Sequence, residues 1–267
     1  MTEQTPPGSD PRIDTSVPHN ARIWNYWLGG RDNYPVDREM GERIRAFFPE
    51  IVDNARADRE FLVRAVTHLV REEGVRQFLD VGSGLPTRDN THEVAQALAP
   101  DARVVYVDHD PLVLAHARAL LSGSEEGATD YVDADLRDPD TVLAAAARTL
   151  DLSRPVALML LGVVNFVADD AEVRSLLDRF LGALAPGSFL VVSHPTDDLD
   201  RERAHQVAAA WNEHGTPKLT VRTAEQITAL FDGLELLEPG VVSCALWRPE
   251  ADGARPVAEY GGVARKA

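Results

Sequence analysis

The sequence predicts an α/β fold: a mostly parallel sheet of seven strands with an antiparallel edge, helices on both faces, and a helical segment ahead of it. Three observations carry this reading. From Arg76 onward, short apolar runs alternate with segments of helical period, the pattern of strands joined by crossover helices. The runs QFLDV, RVVYV and GSFLVVS are largely apolar, as strands covered by helices on both faces are. The last two strand candidates have no helix between them, which places an antiparallel pair at one edge.

The elements follow in order. Residues 1–16, beginning MTEQTPPGSDPR, are polar and proline-rich without the apolar core of a signal peptide, and read as a flexible tail. Residues 17–75 read as a helical extension. Its first helix, within NARIWNYWLGG, spaces Ile23, Tyr26 and Trp27 compatibly with a helix and stops at Gly29-Gly30. A second helix is expected over 36–48, ended by Pro49. A third, over about 53–73, puts Phe61, Leu62, Ala65, Val66, Leu69 and Val70 on one apolar face, with Gly74 as its stop. The alternating segment covers residues 76–267. Strands are expected at 77–81, 103–107, 130–133, within 155–161, and at 187–193. Helices are expected at 92–98, 111–121, 140–150, 171–184, 203–213 and 224–230. The closing strands are 234–247, interrupted at Pro239-Gly240, and 257–264. The whole is the seven-stranded, Rossmann-like variant of the doubly wound sheet.

Composition narrows the partners. The 267 residues include 43 acidic and 27 basic side chains, for a formal net charge of −16. Such a chain is repelled by nucleic acid phosphates and by anionic membrane surfaces. No apolar stretch approaches the roughly 20 residues of a membrane-spanning helix, so the expected location is cytoplasmic. The single cysteine, Cys244, excludes an intrachain disulfide and a thiolate metal cluster, and its setting in VVSCALW reads as a small buried hydrophobe. His92-Glu93 lacks the second histidine a zinc motif needs, and no metal site is expected.

Ligands of open α/β sheets sit beyond the carboxyl ends of the strands, so those ends hold the candidate residues. The first strand ends in Asp80-Val81-Gly82-Ser83-Gly84, where glycines permit a tight turn and close backbone approach to a ligand. A dinucleotide fingerprint would place a third glycine at position 87, which is Thr87. Asp80 points instead to a ligand with a cationic amine. The second strand ends in Asp108-His109-Asp110, and an acidic residue there accepts hydrogen bonds from ribose hydroxyls. NAD and S-adenosylmethionine both use such a residue, so Asp108 alone does not choose between them. The third strand leads to Asp135-Leu136, suited to an adenine: the carboxylate takes the exocyclic amine and the leucine covers the ring. Asp138, three residues on, reads as a helix cap. The fourth strand ends at Leu161-Gly162, where Gly162 serves close ligand approach or a plain strand-to-helix turn.

The order DVGSG, VDHD, DADLRD and LLGVVNF resembles the class I S-adenosylmethionine-dependent methyltransferases. Longer strings, ARIWNYWLGGRDNYPVDRE, YVDHDPLVLAHARALL and the terminal YGGVARK, resemble the bacterial S-adenosyl methyltransferase family, common in actinobacteria and of unassigned substrate. The resemblance spans residues 17–267. It implies a methyltransferase that uses S-adenosyl-L-methionine and releases S-adenosyl-L-homocysteine. Asp80, Gly82, Ser83 and Gly84 would line the methionine side, Asp108 and His109 the ribose, Asp135 and Leu136 the adenine, with Gly162 close by. The family usually shows histidine where this chain has Asn165, which removes a proton-transfer group.

In class I enzymes an amino-terminal helical segment commonly covers the cofactor, so 17–75 is expected to act as a lid over a methyltransferase domain at 76–267. Tyr26 and Asn33, with polar handles near the first turn, are the expected lid contacts, and Trp24 and Trp27 are expected as packing anchors. Arg56 and Arg59 share one face of the third helix, and Arg59 is the choice for the cofactor carboxylate. His194 and Tyr26 are the candidate general bases for an acceptor that must lose a proton. No Asn/Asp-Pro-Pro-aromatic motif follows the fourth strand, which argues against methylation of the amino groups of adenine or glutamine. The leading function is methyl transfer to a small molecule. The rivals are a non-catalytic S-adenosylmethionine-binding module, favoured by Asn165, and an NAD-dependent oxidoreductase. The oxidoreductase is weakened because neither lysine, Lys218 or Lys266, follows a tyrosine at Tyr-x-x-x-Lys spacing.

Overall fold

The structure, a computed structural model, describes residues 13–120 and 124–267. Most of the tail expected over 1–16, and the last residue of the helix expected over 111–121, lie outside the described residues.

Helices α1 (Asn20–Trp27), α2 (Pro35–Phe47) and α3 (Ile51–Arg71) come first. Proline opens α2, where its fixed φ suits the first helical turn. The buried carboxylate of Asp37 accepts hydrogen bonds from the Tyr34 and His19 amides, at 2.8 and 3.0 Å, and pairs with Arg22 on α1 at 3.0 Å. Arg22 also donates to the carbonyls of Asp14 and Val17. One buried ion pair thus ties the entry segment, α1 and α2 together.

The remainder alternates: β1 (Gln77–Val81), α4 (Thr91–Leu98), β2 (Arg103–Asp108), α5 (Pro111–Leu120), β3 (Ala128–Asp133), α6 (Pro139–Ala146), β4 (Ala157–Leu161), α7 (Asp170–Ala183), β5 (Phe189–Pro195), α8 (Arg201–His214), α9 (Ala224–Ala229), β6 (Glu235–Leu236), β7 (Val242–Ser243) and β8 (Glu259–Arg265). The sheet order is β3-β2-β1-β4-β5-β8-β6, with β7 also on β8. Neighbours from β3 to β5 are parallel, and β8 is antiparallel to β5, β6 and β7. The strand count is eight because the Pro239-Gly240 interruption divides the expected sixth strand, 234–247, into β6 and β7, each paired with a different part of β8.

Both faces of the sheet are buried, which accounts for the apolar strands. Leu79, Val105, Leu158 and Leu190 face the layer of α6, α7 and α9, in one cluster with Val142, Leu177 and Ile227. Their neighbours Phe78, Val104, Met159 and Val191 pack on the other side against Phe61, Ala65 and Leu69 of α3 and Ala95 of α4. A third cluster joins Ile23 of α1 and Met40 and Ile44 of α2 to Val207 and Trp211 of α8. The order of connection reverses between β1 and β4, so a crevice opens at their carboxyl ends. Among the described residues no helix is long and apolar enough to cross a membrane.

Candidate functional site

A cavity of about 290 Å³ lies at that crevice, between the carboxyl ends of β1, β2 and β4 and the helices α1, α3 and α8. Its floor is the turn after β1. Gly82 and Gly84 adopt φ of +76° and +65°, and a Cβ on Gly82 would stand 2.3 Å from Val163 Cγ2. Only glycine satisfies both demands at Gly82. The Gly82 amide donates to Val107 O at 2.8 Å, which fixes the turn on β2.

Asp108, at the end of β2, accepts from the Gly84 amide at 2.9 Å and from the Asp110 amide at 2.9 Å. Burial raises its pKa, opposed by those two amides. Asp110 turns away from the cavity: it caps α5 through the Leu112 amide at 2.8 Å and pairs with His19 at 2.9 Å. Among the described residues no group of three metal-ligating side chains exists. Asp80 is buried beneath the glycine turn and accepts from Thr91 Oγ1 at 2.6 Å. Burial pushes its pKa up to about 6, against the pull of Thr91 and Arg59. Asp135 is half-buried and accepts from the Arg137 amide at 2.8 Å, while Asp138 caps α6 through Thr141, the helix-start role read from its position. Gly162, at φ +57°, has open space where a side chain would stand.

Asp80, Gly82, Ser83, Gly84, Asp108, His109, Asp135, Leu136, Gly162 and Arg59 all line this cavity. Arg59 reaches it from α3 and bonds Thr87 Oγ1 on the glycine turn. Arg56 is exposed and pairs with Asp53 on its own helix.

Three expected residues lie elsewhere. Tyr26 points outward and donates to Glu42 at 2.6 Å. Asn33 donates to Asn25 Oδ1 at 3.0 Å and to Gly30 O at 3.1 Å, closing the turn after α1. His194 is fully buried behind the cavity wall. Its Nδ1 donates to Pro195 O at 2.8 Å, and its Nε2 faces Arg222 Nη1 at 2.7 Å. Burial, together with the Arg222 charge, holds it neutral with a pKa near 3. A sealed, neutral imidazole bonded at both nitrogens is no general base for a substrate. Arg222 in turn donates to Val164 O and Val167 O and braces the turn after β4.

Other residues take their places. Trp24 and Trp27 line the cavity, as do Trp211 of α8, Asn54 and Asp58 of α3, Asn165, and Glu259. The signal for Asn54 and Asp58 was present: with Leu62 they recur at four-residue spacing on the buried side of α3, where polar residues need a reason. Glu259 had none, because no local motif reveals which way a strand's first side chain faces.

A family profile described as S-adenosyl methyltransferase matches residues 7–267. A solved structure of a DUF574 family protein from Streptomyces avermitilis MA-4680 is 43% identical, with a TM-score of 0.91 over 95% of this chain and 99% of that one. A candidate methyltransferase from Thermobifida fusca YX is 41% identical, with a TM-score of 0.88 over 96% and 97% of the two chains. Human N-acetylserotonin methyltransferase, solved with S-adenosylmethionine, is 17% identical with a TM-score of 0.51 over 86% of this chain and 57% of that one, a likeness of fold alone. No curated protein sequence matches. The profile runs from residue 7 to the last residue, and the chain therefore belongs to the S-adenosyl methyltransferase family: it is an S-adenosylmethionine-dependent methyltransferase.

Proposed function

We propose that this enzyme works in the cytoplasm on a small-molecule acceptor, with the cofactor in the cavity at the ends of β1, β2 and β4. The observation that carries this is the convergence of Asp80, the Gly82–Gly84 turn, Asp108 and Asp135 with Leu136 on one cavity. The residues fit the cofactor. Gly82 and Gly84 leave room for close approach, and Asp108, although it accepts two amides, retains lone pairs for ribose hydroxyls. Asp135 would take the adenine amine, with Leu136 and His109 beside the nucleoside, and Gly162 would admit the ligand next to β4. Arg59 would meet the carboxylate and Asp80 would offset the ligand's positive charge from beneath the turn.

When bound, the cofactor supplies an electrophilic methyl group on a sulfonium. The chain's own part is to position the acceptor against it and exclude water, and orientation of this kind is worth several kcal/mol, up to about 7–11. In this reading residues 17–75 form the lid over a methyltransferase domain at 76–267. The lid presents Trp24 and Trp27 to the ligand, with Val207 and Trp211 of α8 on the facing wall. Enclosure between these walls suits a small molecule, and the −16 net charge disfavours a nucleic acid.

Calorimetry tests the assignment. Both S-adenosylmethionine and S-adenosylhomocysteine are expected to bind, and Asp108→Ala to weaken each about tenfold or more, the loss of roughly 1.4 kcal/mol or more in charge-assisted hydrogen bonds. Unchanged affinity in Asp108→Ala would remove Asp108 from the ribose site.

A further inference from the structure

The cavity lining holds further buried polar groups that the cofactor assignment leaves unused. Asp58 of α3 and Glu259 of β8 are 7% and 3% exposed, and Asp58 Oδ1 and Glu259 Oε1 have no hydrogen-bond partner. Asn54 Oδ1, one helical turn before Asp58, and Asn165 Oδ1, in the turn after β4, are unpartnered as well, in side chains 3% and 4% exposed. All four residues line the cavity. Buried polar atoms are almost always paired, so four on the lining of one cavity mark a ligand that brings the missing donors.

The charge of that ligand follows from its neighbours. Asp58 raises the pKa of Glu259 beyond what burial does, so the two carboxyls feel one another. Of the basic side chains on the cavity lining, only the Arg59 charge acts on Asp58, and it does not overcome the effect of burial there. The arginines and His19 already have partners. Arg59 bonds Thr87, His19 pairs with Asp110, Arg137 pairs with Glu172, and Arg203 pairs with Glu50 and Asp200. His109 belongs to the β2 end. A neutral alcohol offers one donor and no charge, and a carboxylate acceptor would be repelled. An ammonium supplies up to three donors and a positive charge that favours the ionised form of two neighbouring buried carboxyls. The walls are aromatic: Trp24, Trp27 and Trp211 hold an apolar body and attract a cation to their faces.

We propose, on the reading that this cavity is the methyl-transfer site, that the acceptor is an amine on an apolar body and that Asp58 and Glu259 receive its protonated nitrogen. The bound ammonium gives one proton to one of these carboxylates. The freed lone pair then forms the nitrogen–carbon bond to the methyl group as the carbon–sulfur bond breaks, and its electron pair stays on sulfur. The proton remains on the carboxyl group and the product leaves as a methylated ammonium. An aliphatic amine needs only this deprotonation, in keeping with the lack of the motif used for adenine and glutamine amino groups.

Protein saturated with S-adenosylhomocysteine, titrated calorimetrically with 2-phenylethylamine, tryptamine, 2-phenylethanol and 3-phenylpropionate, tests the proposal. The amines are expected to bind about tenfold or more tightly than the alcohol, and the carboxylate not detectably. Glu259→Gln and Asp58→Asn, both close in shape to the originals, should each cost the amines about tenfold. Affinity of Glu259→Gln for S-adenosylhomocysteine should stay within about twofold, far less than the tenfold change in amine binding. Amines that bind no better than the alcohol, or that bind both variants as tightly as wild type, overturn the proposal. The comparison of amine with alcohol in the wild type stands even if a variant fails to fold. Failure of S-adenosylhomocysteine to bind the wild type would instead sink the underlying site assignment.

Discussion

The cofactor end of the cavity depends most sharply on single backbone positions. Gly82 is confined twice, by its φ of +76° and by Val163 in the space a Cβ would fill. Gly82→Ala is expected to destabilise the fold by about 1–3 kcal/mol and to weaken S-adenosylhomocysteine about tenfold or more, as the turn is forced away from β4. Gly74→Ala is the control: its φ is +69° but the space around it is open, so strain alone should cost about 1 kcal/mol and leave binding unchanged. Urea unfolding and calorimetry on both variants check this, and equal binding losses would show that close approach at Gly82 is irrelevant. The glycine turn was legible in the sequence because strand, turn and helix lie within a few residues of one another. The aromatics of α1 were not. NARIWNYWLGG gives a period but no orientation, and the partners that orient α1 lie in α2 and α8. Hence Trp24 and Trp27 face the cavity while Tyr26 bonds Glu42. His194 looked available at a strand end until Arg222, 28 residues later in the chain, closed behind it.

The extension's elements rest on one buried pair. Asp37→Ala removes the partner of buried Arg22 and leaves the His19 and Tyr34 amides unsatisfied, so a loss of about 3–5 kcal/mol is expected within α1 and α2. The sheet keeps its own two core clusters, which this pair does not touch. Hydrogen exchange should therefore show protection falling in Asn20–Trp27 and Pro35–Phe47 while β1, β4 and β5 hold theirs. Uniform loss across the sheet would mean that α1 and α2 do not open separately. At this scale the five parallel strands and the helices between them were legible from apolar runs and stops. The edge was less so: β6 and β7 are two residues each, too short for periodicity, and are strands only because β8 runs alongside.

For the whole molecule, pH couples the cavity to stability. Asp58 is buried, and burial, opposed by a hydrogen bond from Ser193 and by the Arg59 charge, raises its pKa to about 6. In the unfolded chain it titrates near 4. Between those values the folded state holds a proton that the unfolded state has lost, so the contribution of Asp58 is fully present below about pH 4 and is lost as pH rises through about 6. His194 acts with the opposite sign: its folded pKa lies near 3, so it weakens the fold as pH falls below the usual histidine range. The net slope of the wild type mixes these groups, but a difference between two chains that both contain His194 cancels its part. Asp58→Asn carries no ionisable group at that position. Its stability relative to wild type should therefore improve as pH rises from about 4 to about 7, by an amount on the order of 2–3 kcal/mol for a shift of about two pH units. Urea unfolding of both proteins without ligand across that range measures it. Parallel curves would show that Asp58 ionises as freely in the fold as in water, and that the α3 wall of the cavity is wetter than its burial implies.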